Sequence, residues 1–388
     1  MVRAMAPGPL ALHVFPSFET GGAQLRTARV IGGLDARLRH AILPLDGCTD
    51  ARQFLPAERE VEFIEPPTRA GTVATARALV SLLRARRPDL LCTYNWGSTD
   101  AAIAGQLAGG LPHVHHEDGF GREELARPLR RRSIWRRIVL SSASALIVPS
   151  RRLEQVALEN WRFPRRRVQL VPNGVDLPNY HPADGNPALR RELGIGRDAP
   201  VLGSVGGLRP EKNFGRLVEV FASLPPELGA HLVLVGDGVE REVLETRARR
   251  GPGGDRCHFV GLVRDPRPYY SLFDLFALTS DTEQMPLALV EAMASSLPAI
   301  ASDVGDVRAI LPPGSQERIV APTAPDAVER LAAAAATLLG SPQMRRAQGA
   351  ENRARVEERY SLAGMLKRYS ELYGAALGPV KAAAAGLR

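Results

Sequence analysis

The sequence predicts an α/β protein of two domains, each built on a parallel sheet with helices packed against it. Three observations lead there. The chain has 388 residues, a length that favours two domains over one. Short apolar runs alternate with helix-like segments from Leu10 onward, the pattern of parallel strands joined by helical crossovers. The alternation then restarts near Pro200, where PVLGSVGGLRPEKNF is again a strand, a glycine loop and a helix start.

The first half reads in order. LALHVF (Leu10–Phe15) is a buried strand that runs into PSFETGGAQ and a helix. Gly21 and Gly22 let the backbone of this first turn approach a ligand closely. HAILPL is a short strand. TVATARALVSLLRARRP is a helix stopped at Pro88, and DLLCTY is the next strand. TDAAIAGQLAGG is a helix that ends on glycines. LPHVHHEDGFG is a loop after a short strand, and it gathers His115, His116, Glu117 and Asp118. Imidazoles and carboxylates are metal ligands, but neighbouring histidines on extended backbone point apart. Residues 121–140 hold seven arginines, two glutamates and a tryptophan, with Pro128 interrupting. Two readings stay open for this segment, a basic interfacial stretch for anionic headgroups and a solvated arginine-rich helix. No nucleic-acid recognition motif accompanies the charge. ALIVPS is a strand and a helix follows from Arg151.

In the second half, PVLGSVGGLRPEKNF leads into helix FGRLVEVFASL. HLVLVGDGVERE is strand, Gly-Asp-Gly turn and helix. It begins like a dinucleotide fingerprint, but Arg241 stands at the third glycine position, which argues against a nicotinamide site. FDLFALTS is a buried strand. SDTEQMPLALVEAMASSL follows, with Glu283 and Glu291 separated by seven residues. Pro286 suits a helix start, because its missing N–H would be unpaired there anyway. Glu283 then sits on the loop and Glu291 about a turn inside the helix. The free N–H groups and positive dipole end of that helix make an anion site. PAIASDVGDVRAIL is a strand and a Gly turn with Ser302 to Asp306 at its tip. The rest is helical, and the alanine-rich tail from Gly378 is expected to fray.

The totals bound the class. The chain is 45% hydrophobic and 24% charged, as in an ordinary globular protein. The net charge of +8 is uneven: residues 1–185 hold 25 Arg against 18 acids, and the remainder 22 Arg and 3 Lys against 24. An arginine-heavy balance is also what a GC-rich genome gives. Cys48, Cys92 and Cys257 stand far apart, without metal or disulfide spacing, which fits a reducing cytosol. The apolar run at Leu10–Phe15 is too short for a signal peptide, and no run is long enough to span a membrane. A cytoplasmic protein is expected.

Four phrases in this order, PNGVD (172–176), RPEKN (209–213), the spaced glutamates and EAMA (291–294), resemble the retaining glycosyltransferases of family 4. The resemblance runs from the Gly-Gly loop to the last helix. It implies a GT-B fold, two Rossmann-like domains facing a cleft. The N-terminal, acceptor-side domain would cover 1–185, with about 365–388 crossing back, and the nucleotide-sugar domain 186–364. It implies transfer of a sugar from a nucleotide diphosphate sugar to a glycan, lipid-linked or small-molecule acceptor, with no cofactor and no metal requirement. Glu283 would contact the donor sugar and Glu291 the ribose. Lys212 would clamp the diphosphate, and Gln284, Met285, Pro286 and Leu287 would lie against sugar and diphosphate. Leu262 and Val263 would offer backbone contacts to the base, and Gly21 and Gly22 would face the donor. His115 would take the place of the active-site histidine, and Asp118 that of a second histidine in some relatives. One departure stands out: Gly207 occupies the position of the family's second phosphate ligand, an arginine. Arg209, two residues on, is the candidate to reach the same phosphates. A sugar-nucleotide-binding protein without catalysis is the rival on the same fold, and a nicotinamide-dependent oxidoreductase the rival on a similar one.

Overall fold

The computed structural model describes residues 8–68, 72–119, 130–182 and 185–387. The chain divides into two compact units, Met1–Pro172 with Met365–Arg388, and Asn173–Gly364.

Unit 1 is built on strands β1 (Leu10–Phe15), β2 (Arg39–Pro44), β3 (Val61–Phe63), β4 (Leu90–Tyr94), β5 (His113–His116), β6 (Ala145–Val148) and β7 (Val168–Leu170). They form one parallel sheet in the order β3-β2-β1-β4-β5-β6-β7. Its helices are α1 (Gly22–Gly33), α2 (Thr72–Arg86), α3 (Thr99–Leu107), α4 (Arg130–Val139) and α5 (Arg151–Glu159). The central strands are covered on both faces, so they read as continuous apolar runs rather than alternating ones. Leu12, Val14, Leu91, Leu146 and Val148 are buried among them. Ser150 starts α5, its hydroxyl accepting the Leu153 N–H. Positions 121–129 of the arginine-rich segment lie outside the described residues; α4 is its remainder.

Unit 2 repeats the plan. Its helices are α6 (Pro187–Glu192), α7 (Phe214–Ala222), α8 (Arg241–Arg250), α9 (Arg267–Leu272), α10 (Leu287–Ala294), α11 (Val307–Ile310), α12 (Ala327–Leu339) and α13 (Pro342–Arg359). The strands are β8 (Val201–Val205), β9 (His231–Val235), β10 (Cys257–Gly261), β11 (Leu275–Leu278), β12 (Ala299–Ser302) and β13 (Ile319–Val320). They too are parallel, in the order β10-β9-β8-β11-β12-β13. Helix α14 (Leu362–Leu377) begins in unit 2, and from Met365 its residues belong to unit 1, as does α15 (Pro379–Ala384). Among the described residues no helix is long and apolar enough to cross a membrane.

Two expectations need correction. The division falls at Pro172, before the position expected at 185. The PNGVD phrase packs into unit 2: Val175 bridges to Ser361, and the Asn173 N–H donates to Met285 Sδ at 2.9 Å. The tail from Gly378 does not fray. Gly378 turns the chain at φ +76°, α15 follows, Ala382, Ala385 and Leu387 are buried, and Lys381 pairs with Asp89 at 2.9 Å.

Candidate functional site

In both sheets the strand order reverses beside the first strand, between β1 and β4 and between β8 and β11. Loops leaving the carboxyl ends at such a switch point diverge and leave a crevice, the usual ligand position in open α/β sheets. Predicted residues from two loops of unit 2 fall there. Lys212 lies on the loop after β8 and Glu283 on the loop after β11.

The two loops are knitted together. The Asp281 N–H donates to the Glu211 carbonyl at 2.9 Å, and the Thr279 hydroxyl to the Asn213 carbonyl at 3.1 Å. Asn213 holds left-handed backbone, φ +44°, caps α7 by accepting the Arg216 N–H, and donates to Asp281 Oδ2 at 3.0 Å. Arg216 reaches back from α7 to the Thr279 carbonyl and Asp281 Oδ1, each at 2.7 Å. In this frame Lys212 Nζ donates to Glu283 Oε1 at 2.5 Å, and the Ser280 hydroxyl donates to the same oxygen at 2.8 Å. Glu283 is mostly enclosed, with its side chain 10% exposed, while that of Lys212 is 31% exposed. The site thus holds a cation and an anion side by side, within reach of solvent.

Pro286 precedes α10 as its N-cap, so the helix begins at Leu287. Met285 and Pro286 are buried, and Gln284 and Leu287 half-buried, at this helix start. Gly305, at φ +53°, lies against the Glu283 loop: a Cβ there would stand 2.5 Å from the carbonyl oxygens of Glu283 and Gln284. Glu291 is buried inside α10 and accepts from the Tyr270 hydroxyl at 2.9 Å. The Gly-Asp-Gly turn supports the glycine loop of residues 206–208. A Cβ at Gly236 would stand 1.9 Å from the Gly206 carbonyl oxygen, and one at Gly238 2.4 Å from that of Leu208. Arg241 is occupied by Asp237, Glu245 and the Phe259 carbonyl. Arg209 stands at the start of the turn that carries Lys212, and its Nε would lie 3.1 Å from a Cβ at Gly207. Leu262 (exposed) and Val263 (half-buried) follow β10, two strands away from β8.

Gly21 and Gly22 lie after β1, at the switch point of unit 1; Gly22 is exposed, with nothing near its Cβ position. His115 differs from expectation. It and His116 lie within β5 rather than after it, because β5 pairs with β4 on one side and β6 on the other. Its ring is fully buried, with Nδ1 2.7 Å from the Thr93 hydroxyl and Nε2 3.5 Å from Glu117 Oε2. Past the strand end and the buried Glu117 comes Asp118, which is half-buried. Both its oxygens accept from the buried guanidinium of Arg26, and its N–H donates to Asn95 Oδ1 at 2.7 Å. His116 stacks on Tyr94 and shares a hydrogen bond with Tyr373. Burial holds its pKa well below the ordinary histidine value. His13 and His113 are lowered to about 3 in the same way. No metal-ligating group of three or more side chains forms among the described residues.

Sequence reasoning did not single out Asn213, Arg216, Tyr270 or Asp281. An Asn directly before an apolar helix was a readable cap signal. The partners of Arg216 and Tyr270 come from distant segments, so no local pattern marks them.

This geometry can be set beside known proteins. The family described as Glycosyltransferase Family 4 matches residues 20–178, and that described as Glycosyl transferases group 1 matches residues 186–355. EpsF of Bacillus subtilis (strain 168) is 32% identical over 308 residues, covering 75% of this chain and 78% of EpsF. The chain belongs to glycosyltransferase family 4. A UDP-Gal:alpha-D-GlcNAc-diphosphoundecaprenol alpha-1,3-galactosyltransferase of Escherichia coli is 28% identical over 244 residues, 58% of this chain and 61% of that enzyme. Anabaena HepE, solved with UDP-glucose, superposes with a TM-score of 0.77 at 20% identity, covering 94% of this chain and 99% of HepE. The fold of this glycosyltransferase is therefore GT-B, and the nicotinamide-dependent reading falls.

Proposed function

We propose that this glycosyltransferase moves a sugar, with retention of configuration, from a nucleoside diphosphate sugar held by unit 2 to a glycan, lipid-linked or small-molecule acceptor served by unit 1. The observation that carries the reading is the Lys212–Glu283 pair at the β8/β11 switch point. Sugar transfer separates charge: the diphosphate leaves as an anion while the sugar becomes oxocarbenium-like. An ammonium and a carboxylate fixed side by side match the two halves of that transition state. Lys212 and the N-terminal end of α10 face the diphosphate, and Glu283 faces the sugar. Glu291, oriented by Tyr270, offers a carboxylate to the ribose hydroxyls. The positive charge comes from the protein, so the reaction is proposed to proceed without a divalent metal, and activity should survive EDTA. The place of work is proposed to be an anionic inner membrane face, where a lipid-linked acceptor would lie.

The decisive experiment is a thermal-shift screen of nucleotide sugars, followed by turnover with the one that stabilises the fold and NMR of the product's anomeric centre. Binding without turnover against any acceptor of the three classes would favour a sugar-nucleotide-binding protein, and an inverted product would remove retention.

A further inference from the structure

Helix α4 is amphipathic in the inverted sense. Its side toward the unit carries Ser133, Arg136 and Val139, all buried. Its outward side carries Ile134, Trp135 and Ile138, which are 61%, 43% and 59% exposed. At 100° per residue these three span an arc of about 100° on the outward side. No other stretch of five described residues exposes three large apolar side chains. Arg131, exposed, lies on the same side one turn earlier, Arg137, also exposed, flanks it, and the helix has no acidic residue.

The helix cannot simply roll its apolar face inward, because Arg136 pins it. The Arg136 guanidinium lies 4.9 Å from the Trp96 ring centre and 4.7 Å from that of Trp161, and its Nε donates to the buried Glu117 carboxylate at 3.2 Å. A second basic element adjoins the helix end. Arg167 donates to the carbonyl of Ser141, two residues past α4, and Arg165 and Arg166 beside it are exposed.

We infer that α4 is a membrane-docking helix that lies in the headgroup region of an anionic bilayer, with Ile134, Trp135 and Ile138 in the acyl boundary and arginines 131, 137, 165 and 166 on the lipid phosphates. Charge complementarity selects the occupant. An apolar strip with exposed arginines on and beside it, of which Arg165 is shared with an acid, Glu154 at 3.6 Å, suits anionic lipid, whereas a second copy would bring the same positive charge against it. The inference builds on the proposed membrane location, but its test does not depend on sugar transfer. Arg136 and Glu117 also link α4 to His115, 3.5 Å from Glu117, so docking would bear directly on the interior of unit 1.

The full chain is sedimented with vesicles of phosphatidylcholine alone and of phosphatidylcholine mixed with phosphatidylglycerol. The parent is expected to pellet with the mixed vesicles and to be released by salt. The variant Ile134→Ser/Trp135→Ser/Ile138→Ser should lose about tenfold or more of that affinity, with an unchanged melting temperature as the control for folding. Arg165→Gln/Arg166→Gln should bind more weakly at low salt and depend less on salt. Trp135 emission should shift to the blue on binding, a shift absent in Trp135→Phe. Equal pelleting of parent and triple variant would overturn the inference, as would no pelleting of the parent. Concentration-dependent dimerisation abolished by the triple variant, without vesicle binding, would assign the face to a second copy instead.

Discussion

At the scale of single residues, the proposed donor site is a few charges held by neutral neighbours. Glu283 accepts from both Lys212 and Ser280. Glu283→Gln keeps the shape and removes the charge. Turnover should fall by roughly a hundredfold or more with the unfolding midpoint unchanged, and parent-like turnover would end the assignment. Lys212→Ala should weaken donor binding and slow the chemistry together, because the ammonium offsets diphosphate charge before and during transfer. Arg209→Ala is its comparison. Arg209 runs beside the bare Cα of Gly207, so a KM for donor raised in both variants would make it a second phosphate ligand. A parent-like Arg209→Ala beside a crippled Lys212→Ala would exclude that role. Tyr270→Phe removes one donor to the buried Glu291. Donor affinity should drop by about 1 kcal/mol, read by calorimetry, with little change in maximal rate at saturation.

At the scale of elements, the site depends on loops pressed together closely enough to require glycine. Gly305 is at once in left-handed backbone and against two carbonyl oxygens of the Glu283 loop. Gly305→Ala should cost about 1–3 kcal/mol in urea unfolding and lower turnover by moving Glu283; a neutral outcome in both would show the loops to be pliable. Much of this layer was legible in advance. Buried strands announce themselves as apolar runs, and Pro286 before LALVEAMASSL marked the start of α10 closely. The three-residue strands β3 and β7 carry too little apolar sequence to be separated from loops. His115 and His116 misled for a physical reason: three histidines in four residues with a following Glu-Asp look like a solvated loop. The interior accepts them with hydrogen-bond partners from Thr93 and Tyr373 and the stacked ring of Tyr94, all from other segments. PNGVD was assigned to the wrong side of the division because its contacts, with Met285 and Ser361, are far away in sequence.

At the scale of the molecule, unit 1 should be sensitive to acid. His13, His40, His113 and His116 are buried, and their pKa values lie below the ordinary 6.5 because burial penalises the charged ring. Above 6.5 these rings are neutral in both folded and unfolded chains and contribute nothing to the pH dependence. As pH falls below 6.5 the unfolded chain binds protons that the folded unit refuses, so stability declines toward the folded values, about 3 for His13 and His113. Each fully shifted histidine costs about 1.4 kcal/mol per pH unit in that window. Carboxylates with lowered pKa, such as Asp35, act only from about 3.8 downward, so a loss of stability between about pH 6.5 and 4 belongs to the histidines. Urea midpoints that stay level across that range would refute the account.

The return of α14 to unit 1 also sets an order of construction. Tyr369 and Tyr373, from the last stretch of the chain, complete the interior around His116. During synthesis these tyrosines leave the ribosome after every residue of unit 2. The first half to be made is thus the last to be finished, the reverse of the usual N-terminal-first sequence. Until then the nascent sheet waits with its aromatic and histidine cluster uncovered, and a ribosome stalled before Met365 would hold a finished unit 2 behind an unfinished unit 1.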